Sequence, residues 1–196
     1  MNIDKLLYHF DNFIQLNEVE KNELSCRIIE KSIKKKQFIL QKNDVCFFYT
    51  FVVSGLFKMY TVDQNGTEYN LQFASENEWI CDINSFHFKK NSNLYIEAIE
   101  PSVILQIDKP NLLYLFTHFP KFERAFRVMI ENKYIELENR LLQNISQNAE
   151  QRYNFFVNEY PNLSNRLPNT QVASYLGITP EFLSKIRKNV IKRDKY

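Results

Sequence analysis

Residues 168–188 of the chain read PNTQVASYLGITPEFLSKIRK. Val172 and Leu176 lie four residues apart, which places both side chains on one face of a helix. Gly177 follows at the position just after a helix end, where the backbone takes the left-handed conformation. Thr179 then supplies a hydroxyl that can cap a second helix. Two short helices separated by a turn that contains glycine indicate a helix-turn-helix.

The second helix of this motif separates its apolar residues from its polar ones. Leu183, Ile186 and Val190 recur at steps of three and four, so they form the buried face. In a helix-turn-helix the opposite face enters the major groove, where the N-terminal turns contact base edges. Lys185 can donate to guanine, and Glu181 can accept from cytosine. The residues predicted to contact DNA are Asn169, Thr170, Thr179, Pro180, Glu181, Ser184, Lys185 and Lys188.

A solvated surface ion pair between Glu181 and Lys185 is the alternative interpretation, because residues four apart on a helix are neighbours. The distribution of charge favours DNA binding. Residues 165–196 contain seven basic and two acidic residues, a net charge of +5, whereas the whole chain carries only +2. A near-neutral body with a basic end indicates that the end alone meets a polyanion.

The residue pattern before position 119 differs from that of the C-terminal helices. Residues 2–31 have the spacing of helices, whereas short runs of β-branched and aromatic residues follow from about residue 33. Asn65-Gly66 lies between two such runs and is a strong hairpin signal. The runs are residues 38–40, 47–53, 56–62, 68–73, 93–98 and 103–107. Short strands at regular intervals are typical of a small barrel or sandwich.

Residues 120–148 return to a helical period. Their apolar side chains recur at three- and four-residue steps, and no Gly or Pro follows Pro120. A helix of this length, about 42 Å, is too long to be covered by a domain of this size, so part of the apolar stripe is predicted to meet a second copy of the chain. Packing of the stripe on its own barrel is the alternative. The predicted interface residues are Phe122, Phe126, Ile130, Tyr134, Leu137, Leu141 and Ile145.

The composition excludes several classes of protein. No run of about 18 apolar residues is present and the first residues lack a secretory signal, so we expect a cytoplasmic protein without a membrane partner. The three cysteines have neither disulfide nor zinc spacing. A nucleophile elbow, a P-loop, a Gly-rich dinucleotide loop and a His-x-His pair are also absent from the sequence. We therefore expect neither an enzyme nor a metal protein.

Several stretches together resemble the Crp/Fnr transcription regulators, in particular a branch common in Bacteroidetes. In the tail these are residues 150–153, Tyr160-Pro161 and residues 173–181. Further upstream, residues 52–58 and 63–68 are similar to the turns of that family's β-roll, and residues 96–100 are similar to its last strands. The resemblance covers nearly the whole chain.

The resemblance implies an α+β fold. Its parts are an N-terminal β-roll (a cyclic-nucleotide-binding-like jelly roll) with flanking helices, a long dimerisation helix and a C-terminal helix-turn-helix. The corresponding domains are residues 1–119, 120–148 and 149–196. Family members often add a β-hairpin wing, but only eight residues follow Lys188, so we expect a short or absent wing. Its phosphate contacts would be replaced by Lys192, Arg193 and Lys195.

The resemblance also locates a candidate effector pocket. Family members that bind cAMP hold the phosphate with an Arg beside a Ser or Thr, and the ribose with a Glu after a Gly. Aligned on Glu97-Ala98, these positions fall at Ser92-Asn93 and Cys81-Asp82, so the phosphate-binding cation is absent. We therefore predict weak or no cAMP binding, no bound cofactor and an effector of unidentified chemistry. The candidate pocket comprises Cys81, Asp82, Ile83, Lys89, Lys90, Ser92 and Asn93.

The predicted function is that of a sequence-specific, DNA-binding regulator of transcription that acts as a homodimer on inverted-repeat sites. Its partners would be double-stranded DNA, a second copy of the chain and, as a further candidate, RNA polymerase. The alternative is a nucleotide- or metabolite-sensing module that acts through protein partners. The basic end and the helix-turn-helix favour DNA binding.

Overall fold

The structure of the chain is a computed structural model that describes residues 2–193. The chain divides into two compact units. The first unit is Met1–Thr61 with Gln72–Asn132, and the second is Val62–Leu71 with Lys133–Tyr196. The division falls inside a long helix, whereas the domain limits predicted from the sequence lie at residues 119 and 148, so those limits stay predictions.

The strands lie mainly in the first unit. They are β1 (Ile29–Ile33), β2 (Phe38–Leu40), β3 (Phe48–Ser54), β4 (Phe57–Val62), β5 (Glu68–Ala74), β6 (Trp79–Ile80), β7 (Tyr95–Ala98) and β8 (Ser102–Asp108). They make two four-stranded sheets with the orders β1-β8-β3-β6 and β2-β7-β4-β5. The pairs β1–β8, β3–β8, β3–β6, β2–β7 and β4–β7 are antiparallel. This arrangement confirms the predicted jelly-roll fold class.

The helices precede, interrupt and follow the strands. They are α1 (Asn2–Asp11), α2 (Glu18–Cys26), α3 (Ile83–Phe88), α4 (Lys109–His118), α5 (Pro120–Ser146), α6 (Ala149–Glu159), α7 (Pro161–Arg166), α8 (Asn169–Leu176) and α9 (Pro180–Arg193). The long helix and the two C-terminal helices of the predicted motif are thus all present.

The apolar run in β3 is continuous because both of its faces are covered. Successive side chains of a strand point to opposite faces. On one face, the Tyr49 ring lies 5.6 Å from the Phe126 ring of α5, and the Phe51 ring lies 5.2 Å from that of Trp79. On the other face, Thr50 and Val52 are buried, and Thr50 Oγ1 accepts from Gln106 Nε2 of β8 at 3.0 Å. The core of the first unit therefore lies on both sides of this strand.

The predicted helical pattern over residues 2–31 is wrong at its end. Residues 29–31 belong to β1, where Ile29 pairs with Gln106 and Ile33 pairs with Ser102. Four of the five β1 residues are exposed, so their spacing carries no periodic signal of burial. The ladder to β8 overrides the local preference, as commonly happens for strands.

Gly55, between β3 and β4, is a close-approach position. Its φ is +102°, and a Cβ atom there would lie 2.0 Å from Ser102 Oγ and 2.8 Å from Ser102 Cα. Gly66 in the β4–β5 turn also has a positive φ of +83°, but no described atom lies within 4 Å of its Cβ position. A substitution at Gly66 therefore tests backbone strain alone, whereas a substitution at Gly55 tests backbone strain together with steric overlap.

We expect Gly55→Ala to lower the free energy of unfolding by about 3 kcal/mol, because left-handed strain and overpacking add. Gly66→Ala, the matched control, should cost only about 1 kcal/mol, from strain alone. Urea denaturation monitored by circular dichroism measures both values. Equal losses in the two variants would contradict the close approach at Ser102.

Candidate nucleic-acid interface

The predicted helix-turn-helix is confirmed as a structural motif. Helix α8 ends at Leu176, and Gly177 adopts a left-handed φ of +67°. The Ile178 amide then donates to the Ala173 carbonyl at 3.0 Å, which closes the helix end. Helix α9 begins at Pro180, and Thr179 Oγ1 accepts from the Phe182 amide at 3.2 Å.

The buried face of the motif is the one that the spacing predicts. Val172, Ala173 and Leu176 of α8 are buried, as are Leu183 and Ile186 of α9, whereas Val190 is half-buried. The small side chain of Ala173 lets α9 pack closely against α8. This packing fixes which residues of α9 face solvent.

The solvent-facing side of α9 contains three of the eight predicted DNA contacts. Glu181, Lys185 and Lys188 are exposed, and Thr170 and Thr179 are exposed beside them. Both Glu181 and Lys185 lie in the described part of the chain, and no ion pair joins them. The alternative interpretation of these two residues as a surface ion pair is therefore not supported by the geometry.

Two of the predicted contacts are only half-exposed. These are Pro180 and Ser184, and Ser184 Oγ donates to the Pro180 carbonyl at 2.9 Å. Two residues that the sequence analysis missed are exposed on the same face, namely Phe182 and Asn189. Their positions are separated from Lys185 by three and four residues, and this spacing would have identified them.

Asn169 has a structural partner. Its Oδ1 accepts a short hydrogen bond from Arg187 Nη1, and the Arg187 guanidinium lies 5.6 Å from the Tyr153 ring of α6. Arg187 thus connects the start of α8 with α9 and with α6. Asn169 is also exposed, and its predicted contact with phosphate stays a prediction. The side chains of Lys192, Arg193 and Lys195, which were predicted to replace the phosphate contacts of a wing, lie outside the described part of the chain.

A β-hairpin supports the back of the motif within the second unit. Asn70 lies at the end of this hairpin (residues 62–71) and is buried. Its backbone amide donates to Ser174 Oγ at 3.1 Å, and its side-chain Nδ2 donates to Gln171 Oε1 at 2.8 Å. Ser174 Oγ in turn donates to the Glu68 carbonyl at 2.6 Å. These contacts hold α8 on the side opposite to the exposed face of α9.

Arg140 of α5 joins the same network. Its guanidinium donates to the carbonyls of Leu71 (2.5 Å), Asn70 (3.1 Å) and Tyr175 (2.8 Å). It also stacks over the Tyr175 ring at 3.8 Å. One side chain thus links α5, the hairpin and α8. Sequence analysis missed Asn70 and Arg140 because neither belongs to a local motif.

Tyr160 makes a second connection to α5. Its hydroxyl donates to Glu136 Oε1 at 2.9 Å. Burial, together with the negative charge of Glu136, raises the pKa of Tyr160 far above its usual value. The phenol therefore stays protonated and remains a donor over the whole physiological pH range.

The predicted dimerisation stripe on α5 divides into two parts. Phe122 and Phe126 are buried in the core of the first unit, so they offer no surface to a second chain. This corrects their assignment to the interface. The other five predicted residues are exposed, as are Ile135 and Leu142, with exposed fractions of Ile130 39%, Tyr134 60%, Ile135 52%, Leu137 52%, Leu141 61%, Leu142 62% and Ile145 76%.

In the candidate effector pocket, the buried polar groups form hydrogen bonds with one another. Asp82 caps α3: its Oδ1 accepts from the Ser85 amide at 3.1 Å, and its Oδ2 accepts from Ser92 Oγ at 2.6 Å. Asp82 and Ser92 are buried, whereas Lys89 and Lys90 are exposed, as is the apolar Ile83. Asn93 is exposed as well. A ligand phosphate at this position would meet a carboxylate and no buried cation.

Cys81 contacts Cys46 rather than a cation. The two sulfur atoms lie 3.8 Å apart and both residues are buried. Burial raises the pKa of the Cys81 thiol, while the hydrogen bond from Cys81 lowers the pKa of Cys46. Cys26, by contrast, is exposed. The thiol of Cys26 is therefore accessible to solvent, whereas the thiols of Cys46 and Cys81 are not.

In the folded protein we expect one of the three thiols to react rapidly with Ellman's reagent, because only Cys26 is exposed. All three should react after unfolding in guanidinium. The control is Cys26→Ser, which should abolish the rapid phase and leave two slow thiols. A rapid phase of two or more thiols in the folded wild type would contradict the burial of Cys46 and Cys81.

Between residues 2 and 193, no three or more His, Cys, Asp or Glu side chains gather closely enough to hold a metal ion. No helix within the same range combines the length and the apolar character that crossing a membrane requires.

Comparison with known proteins gives consistent similarities. Residues 30–119 match the cyclic nucleotide-binding domain family. The chain is 25% identical to electron transport regulator A of Shewanella oneidensis over 187 residues, which covers 87% of this chain and 72% of that protein.

Two solved structures have a similar fold. FixK2 of Bradyrhizobium japonicum has a TM-score of 0.74 at 16% identity, with 85% of this chain and 86% of that chain covered. A protein of Eubacterium rectale, assigned to the Crp/Fnr family of transcriptional regulators, has a TM-score of 0.70 at 16% identity, with 92% and 88% covered. At 16% sequence identity, the similarity to these two structures establishes the fold of the chain alone.

Proposed function

We infer that this chain, a regulator of the Crp/Fnr type with a cyclic nucleotide-binding domain at residues 30–119, binds specific sites in double-stranded DNA as a homodimer. The predicted family resemblance is confirmed, and relatives named as regulators support the expectation that the chain is not an enzyme. The observation that carries the proposal is the exposed polar face of α9, which begins directly after the Gly177 turn.

Each exposed residue of this face suits a chemical group of the major groove. Lys185 is placed to donate to guanine O6 and N7, and Glu181 to accept from cytosine N4. Phe182 suits the methyl group of thymine. Lys188 and Thr170 lie further out and suit phosphate oxygens, which position the protein without selecting sequence.

The exposed part of the α5 stripe supports dimerisation. Ile130, Tyr134, Leu137 and Leu141 follow alternating steps of four and three, the spacing with which two helices pack as a coiled coil. A row of large apolar side chains of this length is rare on a monomer surface. Pairing of this row about a two-fold axis would present two α9 helices to inverted half-sites about 34 Å apart.

The Asp82 network supports the proposal that cAMP binding is lost. Asp82 uses the Ser92 hydroxyl and the Ser85 amide, which are the kinds of donor that a phosphate would need. An effector, where one acts, would shift the region around residues 148–152, because α5 ends at Ser146 and Asn148 caps α6 there. Contact with RNA polymerase stays a prediction.

Binding to DNA is tested by selecting sites from random duplexes and measuring affinity across salt. The logarithm of the binding constant should fall linearly with the logarithm of salt concentration, by about 0.9 per neutralised phosphate contact. No retention of any duplex, together with capture of a protein partner, would favour the alternative module that acts through proteins.

Lys185→Ala should reduce discrimination between the selected site and a site with the guanine replaced, by about 10- to 100-fold, because a base contact is lost. Lys188→Ala should instead weaken binding to all sequences equally and reduce the salt slope by about one. The matched control is Lys42→Ala, which removes an exposed lysine of the first unit and should change neither quantity. Identical behaviour of the first two variants would contradict the assignment.

Leu141→Glu should convert the dimer to a monomer, because it places two buried charges at the centre of the proposed interface. Val19→Glu is the matched control: Val19 has the same exposed fraction as Leu141, 61%, but lies on α2. Light scattering after gel filtration measures both masses. A wild-type protein that is monomeric, or a Leu141→Glu variant that stays dimeric, would contradict the proposed two-fold arrangement.

A further inference from the structure

Two thiols of the first unit lie in contact although they are far apart in the chain. Cys46 and Cys81 are separated by 35 positions, and their sulfur atoms lie 3.8 Å apart. Both residues are buried. Heavy atoms at this distance touch one another, so no other group separates the two sulfurs.

The fold places each cysteine at a defined point. Cys46 lies in the loop between β2 and β3, and its backbone amide donates to Ser85 Oγ of α3 at 2.8 Å. Cys81 follows β6 directly and precedes Asp82, which caps α3. The contact between the sulfurs therefore arises because the start of α3 lies beside the β2–β3 loop, and local sequence spacing could not have predicted it.

The two thiols differ in chemistry. The Cys46 thiol donates to the Phe48 carbonyl at 3.5 Å and accepts from the Cys81 thiol. The hydrogen bond from Cys81 lowers the pKa of Cys46, whereas burial raises the pKa of Cys81. Because the thiolate is the nucleophile, Cys46 is the thiol that reacts first, and Cys81 stays protonated beside it.

A small oxidant has a route to Cys46. This residue lines a cavity of about 400 Å³ together with Asp44 and Phe47. Asp44 and Phe47 are exposed, so the cavity is open to solvent at their side. Hydrogen peroxide is little larger than a water molecule and fits such a space, whereas Ellman's reagent is a much larger aromatic disulfide.

A metal ion is the alternative use of a cysteine pair. Structural zinc takes four ligands from the protein. Within residues 2–193, no group of three or more His, Cys, Asp or Glu side chains includes this pair. The chemistry that two thiols in contact share is instead oxidation to a disulfide.

We propose that Cys46 and Cys81 form a reversible intramolecular disulfide when the chain meets a hydroperoxide. The Cys46 thiolate attacks one oxygen of hydrogen peroxide; an S–O bond forms, the O–O bond breaks, and the leaving hydroxide takes up the proton that Cys46 released. The Cys81 sulfur then attacks the Cys46 sulfur; the S–S bond forms, the S–O bond breaks, and the hydroxide leaves as water with the Cys81 proton. Two thiols thus lose two electrons, and one peroxide is reduced to two waters.

Cys81 determines whether the oxidation can be reversed. A sulfenic acid without a neighbouring thiol proceeds to a sulfinic acid, which ordinary thiol reductants do not restore. A thiol in contact captures the sulfenic acid as a disulfide, which a dithiol reduces. The bond requires neither DNA nor a second chain, so the failure of this proposal would leave the proposed DNA-binding function untouched.

The test uses the full chain with Cys26→Ser, which removes the exposed thiol and keeps the buried pair. Hydrogen peroxide should give a form that is lighter by about 2 Da, has no free thiol in guanidinium and regains both thiols with dithiothreitol. It should stay monomeric on a non-reducing gel, and peptide mapping should join residue 46 to residue 81. Two free thiols after a treatment that oxidises Cys26 of the wild-type chain would overturn the proposal.

Two further variants assign the roles of the thiols. Adding Cys81→Ser to Cys26→Ser should give a gain of about 32 Da, because Cys46 then proceeds to the sulfinic acid. Adding Cys46→Ser is the matched control, and its single thiol should be lost at least about tenfold more slowly than the single thiol of the Cys81→Ser variant. Equal rates of loss would refute Cys46 as the attacking thiol. The test with Cys26→Ser alone stays decisive where a buried serine prevents folding, because Cys26 is exposed.

Discussion

The left-handed turn at Gly177 is the constraint on which the exposed face of α9 depends. Gly177 ends α8, and Thr179 caps α9 only two residues later. This short connection fixes the rotation of α9 about its axis, so that Leu183 is buried and Lys185 is exposed. One additional residue in the turn would rotate the helix by about 100° and turn the lysines towards α8.

Helix α5 shows that one sequence period can serve two environments. The apolar stripe runs without interruption, yet Phe126 lies in the core of the first unit while Leu141 is exposed. Periodicity reports which face is apolar, not what covers that face. The point where the roll stops covering the helix depends on tertiary structure. The sequence could therefore predict the stripe but not its division.

Local signals were predictable, whereas contacts between distant segments were not. The caps, the glycine turn and the apolar spacing of the helix-turn-helix each involve residues within five positions of one another, and the structure has them as predicted. Asn70 and Arg140 lie far along the chain from Tyr175, and each is an ordinary polar residue by type. The hydrogen bond between Asn169 and Arg187 was missed for the same reason, because the two residues lie 18 positions apart.

The hydrogen bonds around Asp82 bear on the proposed loss of cAMP binding. A loop built to hold a phosphate would leave donors free for it, but Asp82 already occupies the Ser92 hydroxyl and the Ser85 amide. The resident carboxylate satisfies these two donors, so an anionic ligand would have to displace it. This arrangement agrees with the proposed loss of cAMP binding.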